Sequence, residues 1–438
     1  MVSSFHPRSL HPMLRRNYGL ELGAWFLLPF MLAGIQGGSM GVVLKKTFTG
    51  VPGLTDATVD FAVACLAAST AVGNLTSGIT ATLANGRRKV PFLFGLMVAT
   101  SCCVGLMAFV PISAAGAWML VALVVLGWVF WSGVVTIRTS VWRANYPDAN
   151  RATIAGRIGT VQVIMMAIAG AGLGWSLDHS ATTFRVILPV VSLLGIAGAL
   201  VYLRVRLRGQ SRLARAERAG NATERPQLNP LAVLGVLRDD RRYAAYMGCM
   251  MLFGLGNLMI SPTLAIIVED EFGLSYLAGI LLTSVIPLAV MPLAIPLWAR
   301  LLSRLHVISF RAVHSWVFVT ASALFLVSVE THSLPLLYVA SATIGLGFAG
   351  GMLAWNLGHQ HFAPPHRDAQ YMSVHVMLTG LRGLAAPFLG VGLYTWFAAR
   401  GHPGLVYAVS LGLNILGALG FLMLQAAERR RATRATAG

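Results

Sequence analysis

The sequence alternates between long apolar runs and short polar connections. A helix that crosses a membrane needs about 20 mostly apolar residues. Runs of this length occur at 20–44, 58–83, 90–112, 115–141, 152–177, 184–204, 243–267, 275–299, 308–329, 334–359, 370–398 and 404–427. An open sheet would leave backbone groups unsatisfied in lipid, so each run is predicted to be a helix. The pattern therefore predicts an all-α membrane protein with twelve transmembrane helices.

Composition supports this class. The 438-residue chain is 56% hydrophobic and 11% charged, with a mean hydropathy of +0.71, whereas soluble domains carry about 25% charged residues. A net charge of +18 is also typical of proteins that bind nucleic acid. Here, however, the basic residues lie in short loops between apolar runs, as membrane topology requires. We predict the lipid bilayer, and no nucleic acid, as a partner.

The distribution of Lys and Arg predicts the orientation. Of the 33 such residues, 28 fall on one side of the spans, four on the other and one inside a span. Cytoplasmic loops carry the excess of positive charge, so both termini are predicted to be cytoplasmic, in the inner membrane of a bacterium. The four residues on the outer side are Lys45, Lys46, Arg185 and Arg400. A monomer is expected.

Two related halves are predicted. Six-span bundles at 1–205 and 243–438 flank a basic cytoplasmic linker at 206–242. At an offset of 218 residues, several Gly, Phe and Pro positions coincide: 127, 130, 133, 147, 172 and 174 match 345, 348, 351, 365, 390 and 392. Duplicated six-span halves of this kind are found in many transporters.

The loop between spans two and three carries a partial motif. Gly86-Arg87-Arg88-Lys89 resembles the end of the signature G-x-L-a-D-r-x-G-r-R/K of the major facilitator superfamily. The chain departs from that signature earlier, with Leu83 at its Asp and Ile79 at its first Gly. The resemblance covers nearly the whole length. It implies two pseudo-symmetric six-helix bundles with spans one, four, seven and ten lining a central cavity.

Few strongly polar side chains lie well inside the predicted spans. Of these, six fall on spans that the resemblance places at or beside the cavity: Gln36, Asn74, Gln162, Asn257, Asn356 and Arg382. With Trp355, they are the predicted substrate-binding residues. The alternative for each amide is a hydrogen bond between packed helices. No deep carboxylate is predicted, because Glu21 and Asp60 lie near helix ends.

Arg382 is the main candidate. A guanidinium deep in a membrane is costly, so an intramembrane Arg is a functional candidate by default. It lies about 13 residues from the inner end of its span, or roughly 20 Å along a helix. It either binds an anionic or acceptor-rich substrate or ties its span to a neighbour through backbone carbonyls.

A second group of residues is predicted to gate or couple transport. Basic residues at the cytoplasmic ends of the spans could close the cavity against an acid. His375 could carry a proton because His titrates near neutral pH. This group comprises His375, Arg87, Arg88, Arg138, Arg157 and Asp148. The alternative for the arginines is a topological role alone. The remaining histidines are not spaced as metal ligands, so no metal and no cofactor are predicted.

These features predict a secondary active transporter that works by alternating access, and no enzyme. The substrate is expected to be an organic anion or a polar metabolite, and a co- or counter-transported proton is left open. A multidrug efflux pump for amphipathic compounds is the alternative. A membrane receptor without transport activity is a third reading.

Overall fold

A computed structural model describes residues 5–180, 182–219, 230–363 and 368–437. Those residues contain helices and no strand. Twelve helical segments are long and apolar enough to cross a membrane, which confirms the predicted number. Because the number is even, both chain ends lie on one side, here called the terminal side; the other is the opposite side.

In chain order, the first six spans are Pro12–Ala33 with Gly37–Phe48, Asp56–Ala84, Lys89–Leu106, Ala114–Asn145, Asp148–His179 and Phe184–Leu203. Two linker helices follow, Gln210–Ala219 and Pro230–Asp239. The second six spans are Arg241–Asp270, Tyr276–Ile280 continued by Leu281–Val285 and Ile286–Leu302, Val307–Glu330, Leu334–Leu357, Asp368–Ala398 and Leu405–Ala437.

Hydroxyl side chains begin several of these helices. Thr55 accepts a hydrogen bond from the amide of Thr58, and Ser113 and Ser275 accept equivalent bonds from Gly116 and Ala278. Such a cap satisfies one of the amides that a helix start leaves without a partner. Large apolar side chains remain exposed along the outside, among them Leu193, Leu293 and Met423. A lipid environment would cover them.

The two halves have the same internal packing. In the first half, span one packs on spans five and six, span four packs on spans two and three, and span three packs on span six. Adding six to each number gives the packing of the second half: seven on eleven and twelve, ten on eight and nine, nine on twelve. The halves meet through spans two and eleven, five and eight, and one and seven. The fold is therefore the predicted pair of pseudo-symmetric bundles.

Candidate functional site

Span one is broken at its middle. Its first helix ends at Ala33, the chain turns through Gly34–Gln36, and a second helix begins at Gly37. The break frees the carbonyl of Ile35, which accepts a hydrogen bond of 2.6 Å from the indole nitrogen of Trp128 on span four. Trp128 thus satisfies a carbonyl that the break leaves outside the helical hydrogen-bond pattern.

Span eight is irregular at the same level. Residues Leu281–Val285 form a π-helical turn between two α-helical segments. A Cβ at Gly38 on span one would lie 2.7 Å from the Ser284 hydroxyl and 2.9 Å from the Thr283 carbonyl. The irregular backbones of the two halves thus touch each other. Non-helical backbone at membrane depth is tolerated only where protein or a cavity surrounds it, and π-bulges are frequent at functional sites.

Two buried hydroxyl groups lie at this junction. The side-chain oxygens of Ser39 and Ser284 have no hydrogen-bond partner among the described residues, and both side chains are buried. A Cβ at Gly170 of span five would lie 3.2 Å from Val285 and 3.9 Å from the Ser39 hydroxyl. Spans one, five and eight therefore converge on a small polar junction between the halves.

The predicted amides lie along the contact between the halves. Gln36 forms the break in span one and is partly exposed. Asn74 of span two is partly exposed. Its neighbour Leu75 lies against span eleven, since a Cβ built at Gly380 would be 2.8 Å from the Leu75 side chain. For none of these amides does the structure describe a side-chain hydrogen bond that binds one helix to another. Their role in binding a substrate stays a prediction.

Gln162 and Asn257 occupy comparable positions. Both are partly exposed. Gln162 precedes Val163, which packs against Met291 of span eight. Its side-chain amide makes only a long contact of 3.8 Å with the sulfur of Met166. Asn257 precedes Leu258, which lies 4.0 Å from a Cβ built at Gly383. Asn356 is exposed, and its side-chain nitrogen donates to the carbonyl of Met352 within its own helix.

Arg382 is buried between spans seven and eleven. Its guanidinium donates to the carbonyl of Met250 and, at 3.3 Å, to the hydroxyl of Thr379. It packs flat against Gly254, where a Cβ would lie 2.4–2.6 Å from Cδ, Nε and Cζ of the arginine. Of the two roles predicted for Arg382, the structure displays the second, a hydrogen bond that joins span eleven to span seven. Thr379 also accepts a hydrogen bond of 3.4 Å from Trp355 of span ten, which links Arg382 to a predicted site residue.

The predicted gating residues are distributed over separate places. Arg138 stacks between the rings of Trp25 and Trp142, with its guanidinium carbon 4.1 and 4.5 Å from the two centroids. Nearby, the carboxylate of Glu21 accepts hydrogen bonds from Trp142 and, at 2.8 Å, from Tyr146. Glu21 is fully buried. The sequence placed this acid at a helix end and did not reveal that the neighbouring spans enclose it.

Arg157, Arg87 and Arg88 lie on the surface of the terminal side or near it. Arg157 donates to the hydroxyl of Ser9 at 2.9 Å, and Arg87 and Arg88 are exposed. The side chain of Asp148 lies outside the described residues. Among the described residues, Arg87, Arg88 and Arg157 form no ion pair with an acid, and the gating role of the group stays a prediction.

The Gly86–Lys89 loop is attached to the linker. Glu217 of the first linker helix accepts hydrogen bonds of 2.7 Å from the Gly86 amide and from the Lys89 ammonium. Arg218 donates to the Gly86 carbonyl at 3.0 Å. Gly86 has φ of +68°, which favours glycine. A cavity of about 840 Å³ lies beside this contact between the loop and the linker helix, and its basic lining residues are Arg143, Arg151, Arg208 and Arg212.

Polar contacts between the halves lie at the opposite side. Lys45 of span one binds Asp60 at 2.7 Å and, across the halves, Asp270 at 2.8 Å. Lys46 binds Glu269 and donates to the carbonyl of Leu274 at 2.8 Å. We call the two lysines and the three acids, Lys45, Lys46, Asp60, Glu269 and Asp270, the opposite-side lock. The sequence had placed the lysines and acids on the same side without pairing them.

Two further contacts support that closure. Asp178, at the end of span five, accepts hydrogen bonds from the first amides of span eight, Tyr276 at 2.7 Å and Leu277 at 3.2 Å. Toward the terminal side, by contrast, Cβ positions at Gly156 and Gly159 of span five would face open space. The halves are thus joined by polar contacts at the opposite side, whereas Gly156 and Gly159 of span five have no neighbour from the other half within 4 Å of their Cβ positions.

His375 is completely buried and lies against Trp355, with a centroid distance of 5.7 Å. Its coupling role stays a prediction. Within the described part of the chain, no group of three or more His, Cys, Asp or Glu side chains is arranged to hold a metal ion. Sequence reasoning missed Glu21, Ser284 and Arg311 as buried polar residues and Trp128 as the partner of the Ile35 carbonyl; only the glycines at 37 and 38 indicated the broken span.

Comparison with known proteins identifies the family. The model of the Major Facilitator Superfamily matches residues 22–387. No curated protein matches the sequence. Similar solved structures include the nucleoside transporter NupG, as its D323A mutant (14% identity, TM-score 0.72, covering 93% of this chain and 99% of that one). The xylose transporter XylE from E. coli is 13% identical (TM-score 0.66, covering 93% and 97%). A POT family transporter bound to 5-aminolevulinic acid is 15% identical (TM-score 0.65, covering 94% and 96%). At these identities the likeness concerns the fold.

Proposed function

Because the chain belongs to the major facilitator superfamily, we propose that it is a secondary transporter that moves a polar small molecule across the membrane by alternating access. One observation carries the proposal. The broken span one and the π-helical turn of span eight touch each other between the halves. Transporters of several folds bind substrate near the midplane where helices are interrupted, because backbone groups are then free to bind it.

The substrate site lies at this junction, on the terminal side of the contact between Gly38 and Ser284. Gln36 and Asn257 supply amide groups from the two halves, and Asn74 and Gln162 lie beside them. Amides donate and accept hydrogen bonds, which suits hydroxyl, carbonyl and ring nitrogen groups. Trp355 supplies an aromatic face. This inventory favours a polar, mainly neutral metabolite over an organic anion.

Arg382 then has a positioning role. Its guanidinium is engaged by Met250 and Thr379, so it orients Thr379 and through it Trp355, without touching the substrate. An anionic substrate would require Arg382 to leave the Met250 carbonyl.

The conformation is proposed to be inward-facing. The opposite-side lock joins the halves away from the termini, and the distribution of Lys and Arg places the termini in the cytoplasm. A fluorescent protein fused to the C-terminus should therefore fluoresce, and an alkaline phosphatase fused at the same point should be inactive. The reverse pair of results would invert the orientation.

Transport into proteoliposomes tests the function. Purified protein is reconstituted and assayed with radiolabelled nucleosides, sugars, dipeptides and organic anions, and with a fluorescent amphipathic cation for the efflux alternative. We expect uptake of a neutral polar solute that Gly38→Leu abolishes, because the new side chain meets span eight at 2.7–2.9 Å. Gly95→Leu is the matched control, since a Cβ at Gly95 faces open space. Gln36→Ala should raise KM about tenfold with a smaller change in kcat.

The result distinguishes the candidate functions. Transport of the amphipathic cation alone would favour the efflux pump. Uptake of anions that Arg382→Gln abolishes and Gln36→Ala does not change would contradict the proposed site. Binding of a solute without counterflow would indicate a receptor.

A further inference from the structure

The interior of the second half contains a cluster of basic side chains. Arg311 of span nine is 2% exposed, Arg382 of span eleven is 6% exposed, and His375 of span eleven is fully buried. Arg311 lies 5.9 Å from the ring centroid of Phe253 and Arg382 packs against Gly254, so the two arginines approach adjacent residues of span seven. His375, Thr379 and Arg382 are four and three residues apart, so they share one face of the helix. Arg311 was assigned by sequence to the positive-inside group; the structure places it in the bundle core.

Buried polar atoms in this cluster lack partners. Nε of Arg311, Nε of Arg382, both ring nitrogens of His375 and the hydroxyl of Tyr246 make no hydrogen bond among the described residues. Among those residues, no carboxylate forms an ion pair with either arginine. A buried charge without a partner is strongly destabilising, and buried polar groups are in general hydrogen-bonded. The cluster therefore requires a negatively charged hydrogen-bond acceptor.

The contacts that do exist add no negative charge. A terminal nitrogen of Arg311 lies 3.2 Å from Nδ1 of His314, and Nε2 of His314 lies 2.8 Å from the carbonyl of Gly347. The carbonyl can only accept, so Nε2 carries the proton and Nδ1 accepts from the arginine. His314 is thus a neutral imidazole. The acceptors for Arg382 are a carbonyl and a hydroxyl, which are neutral as well.

The surroundings limit the size of the acceptor. The guanidinium of Arg311 lies 5.9 Å from the centroid of Phe253, and Phe253 packs against Phe318 and Phe421. Two glycines border the donors: a Cβ at Gly254 would collide with Arg382, and one at Gly358 would lie 3.2 Å from the Tyr246 hydroxyl. An occupant must fit among aromatic rings and close backbone, which favours a single small ion over a metabolite.

We propose that the second half binds a small monovalent inorganic anion, of the size of chloride, between Arg311, His375 and Arg382. The ion neutralises the two guanidinium groups and receives the hydrogen bonds of the donors that have no other partner. All the residues belong to one half, and Arg311 is on span nine, away from the contact between the halves. The site is therefore distinct from the substrate site and does not depend on the proposed function.

Anion-dependent stability tests the proposal. Full-length protein in detergent is unfolded thermally in sodium chloride and in sodium gluconate, at equal pH and ionic strength. A ligand that binds the folded state stabilises it, so we expect chloride to raise Tm by about 3 °C or more, with saturation. In Arg311→Gln the difference between the two salts should disappear. Arg400→Gln is the control, because Arg400 is exposed and lies over the ring of Trp396, and it should keep the full chloride response.

A second measurement covers the case in which Arg311→Gln does not fold. Crystals of the wild-type protein grown in sodium bromide should show an anomalous peak within hydrogen-bonding distance of Arg311 and Arg382. Equal Tm in both salts would refute the proposal. So would bromide peaks confined to the surface, ordered water between the two arginines, or a chloride response that Arg311→Gln leaves intact.

Discussion

The two halves have the same helix packing, but their buried basic side chains have different surroundings. In the first half, Arg138 lies between two tryptophan rings, and one of them, Trp142, donates a hydrogen bond to the buried carboxylate of Glu21. In the second half, Arg311 and Arg382 lie near each other and form no ion pair with a carboxylate that the structure describes. The pseudo-symmetry of the backbone does not extend to charge.

This difference indicates that the two halves have different roles. A charge that is compensated within its own bundle stabilises that bundle without outside help. A charge that lacks such compensation makes the bundle sensitive to what binds it. A duplicated fold can therefore keep one half as a stable frame while the other acquires a dependence on an ion.

The largest effect is expected from removing the acid of the first half. Glu21→Gln keeps the size of the side chain but removes the carboxylate that Trp142 and Tyr146 bind, and with it the negative charge near Arg138. We expect a loss of about 3 kcal/mol in the free energy of unfolding, measured by thermal or denaturant unfolding in detergent. Adding Arg138→Gln should restore part of the loss. If the double variant is no more stable than the single one, Glu21 and Arg138 are not coupled.

A smaller effect is expected where a compensated charge joins the two halves. Lys45→Met leaves Asp60 and Asp270 without their shared partner, which should shift the equilibrium toward opening at the opposite side. In a background without the four native cysteines, a Thr47→Cys reporter should react with an impermeant maleimide on the order of tenfold faster, equal to about 1.4 kcal/mol. Arg400→Gln, on the same side, should not change the rate. Unchanged labelling in Lys45→Met would show that the lock does not hold the halves.

The second half should tolerate the loss of a charge better than the first. In chloride-free buffer, Arg382→Met removes the hydrogen bonds to Met250 and Thr379 but also removes a buried charge that has no described counter-charge. These effects oppose each other, so we expect a net change within about 1 kcal/mol. The measurement is unfolding in parallel with Glu21→Gln. An equal or larger loss in Arg382→Met would remove the distinction between the halves.

The smallest effect concerns a histidine outside the spans. Burial, reinforced by the positive charge of Arg242, lowers the pKa of His306 below its ordinary value of 6.5. The folded state then binds fewer protons than the unfolded state, so stability is retained above pH 6.5 and is lost as the pH falls below it. His306→Asn, which keeps a side chain able to cap the helix at Ile308, should flatten the dependence of Tm on pH between 6.5 and 5. An unchanged slope would assign it to other groups.

Several site residues could be predicted from sequence because their signal is local. A lone Arg at position 382 within an apolar run is visible without a structure, and so is the scarcity of amides that singled out Gln36 and Asn257. The burial of Arg311 and Glu21 could not be predicted in this way. Each lies within about three turns of a predicted span end, where a charge can equally face water or a neighbouring helix. Which of the two occurs depends on how the spans are rotated.

The π-helical turn at Leu281–Val285 had no sequence signal either, and the break at Gly34–Gln36 had only its glycines. The pairing of Lys45 with Asp270 required spans far apart in sequence to end side by side.

The sequence by itself determined the twelve spans, their even number and the excess of basic residues on one side. These properties depend on the length, hydropathy and charge of single segments in lipid. Only the tertiary structure decided that Arg382 faces Met250, that Arg138 has an acid near it while Arg311 has no ion pair among the described residues, and that span one meets span eight at Gly38. These are contacts between helices, and they depend on the rotation and depth of each helix, which packing against the others sets.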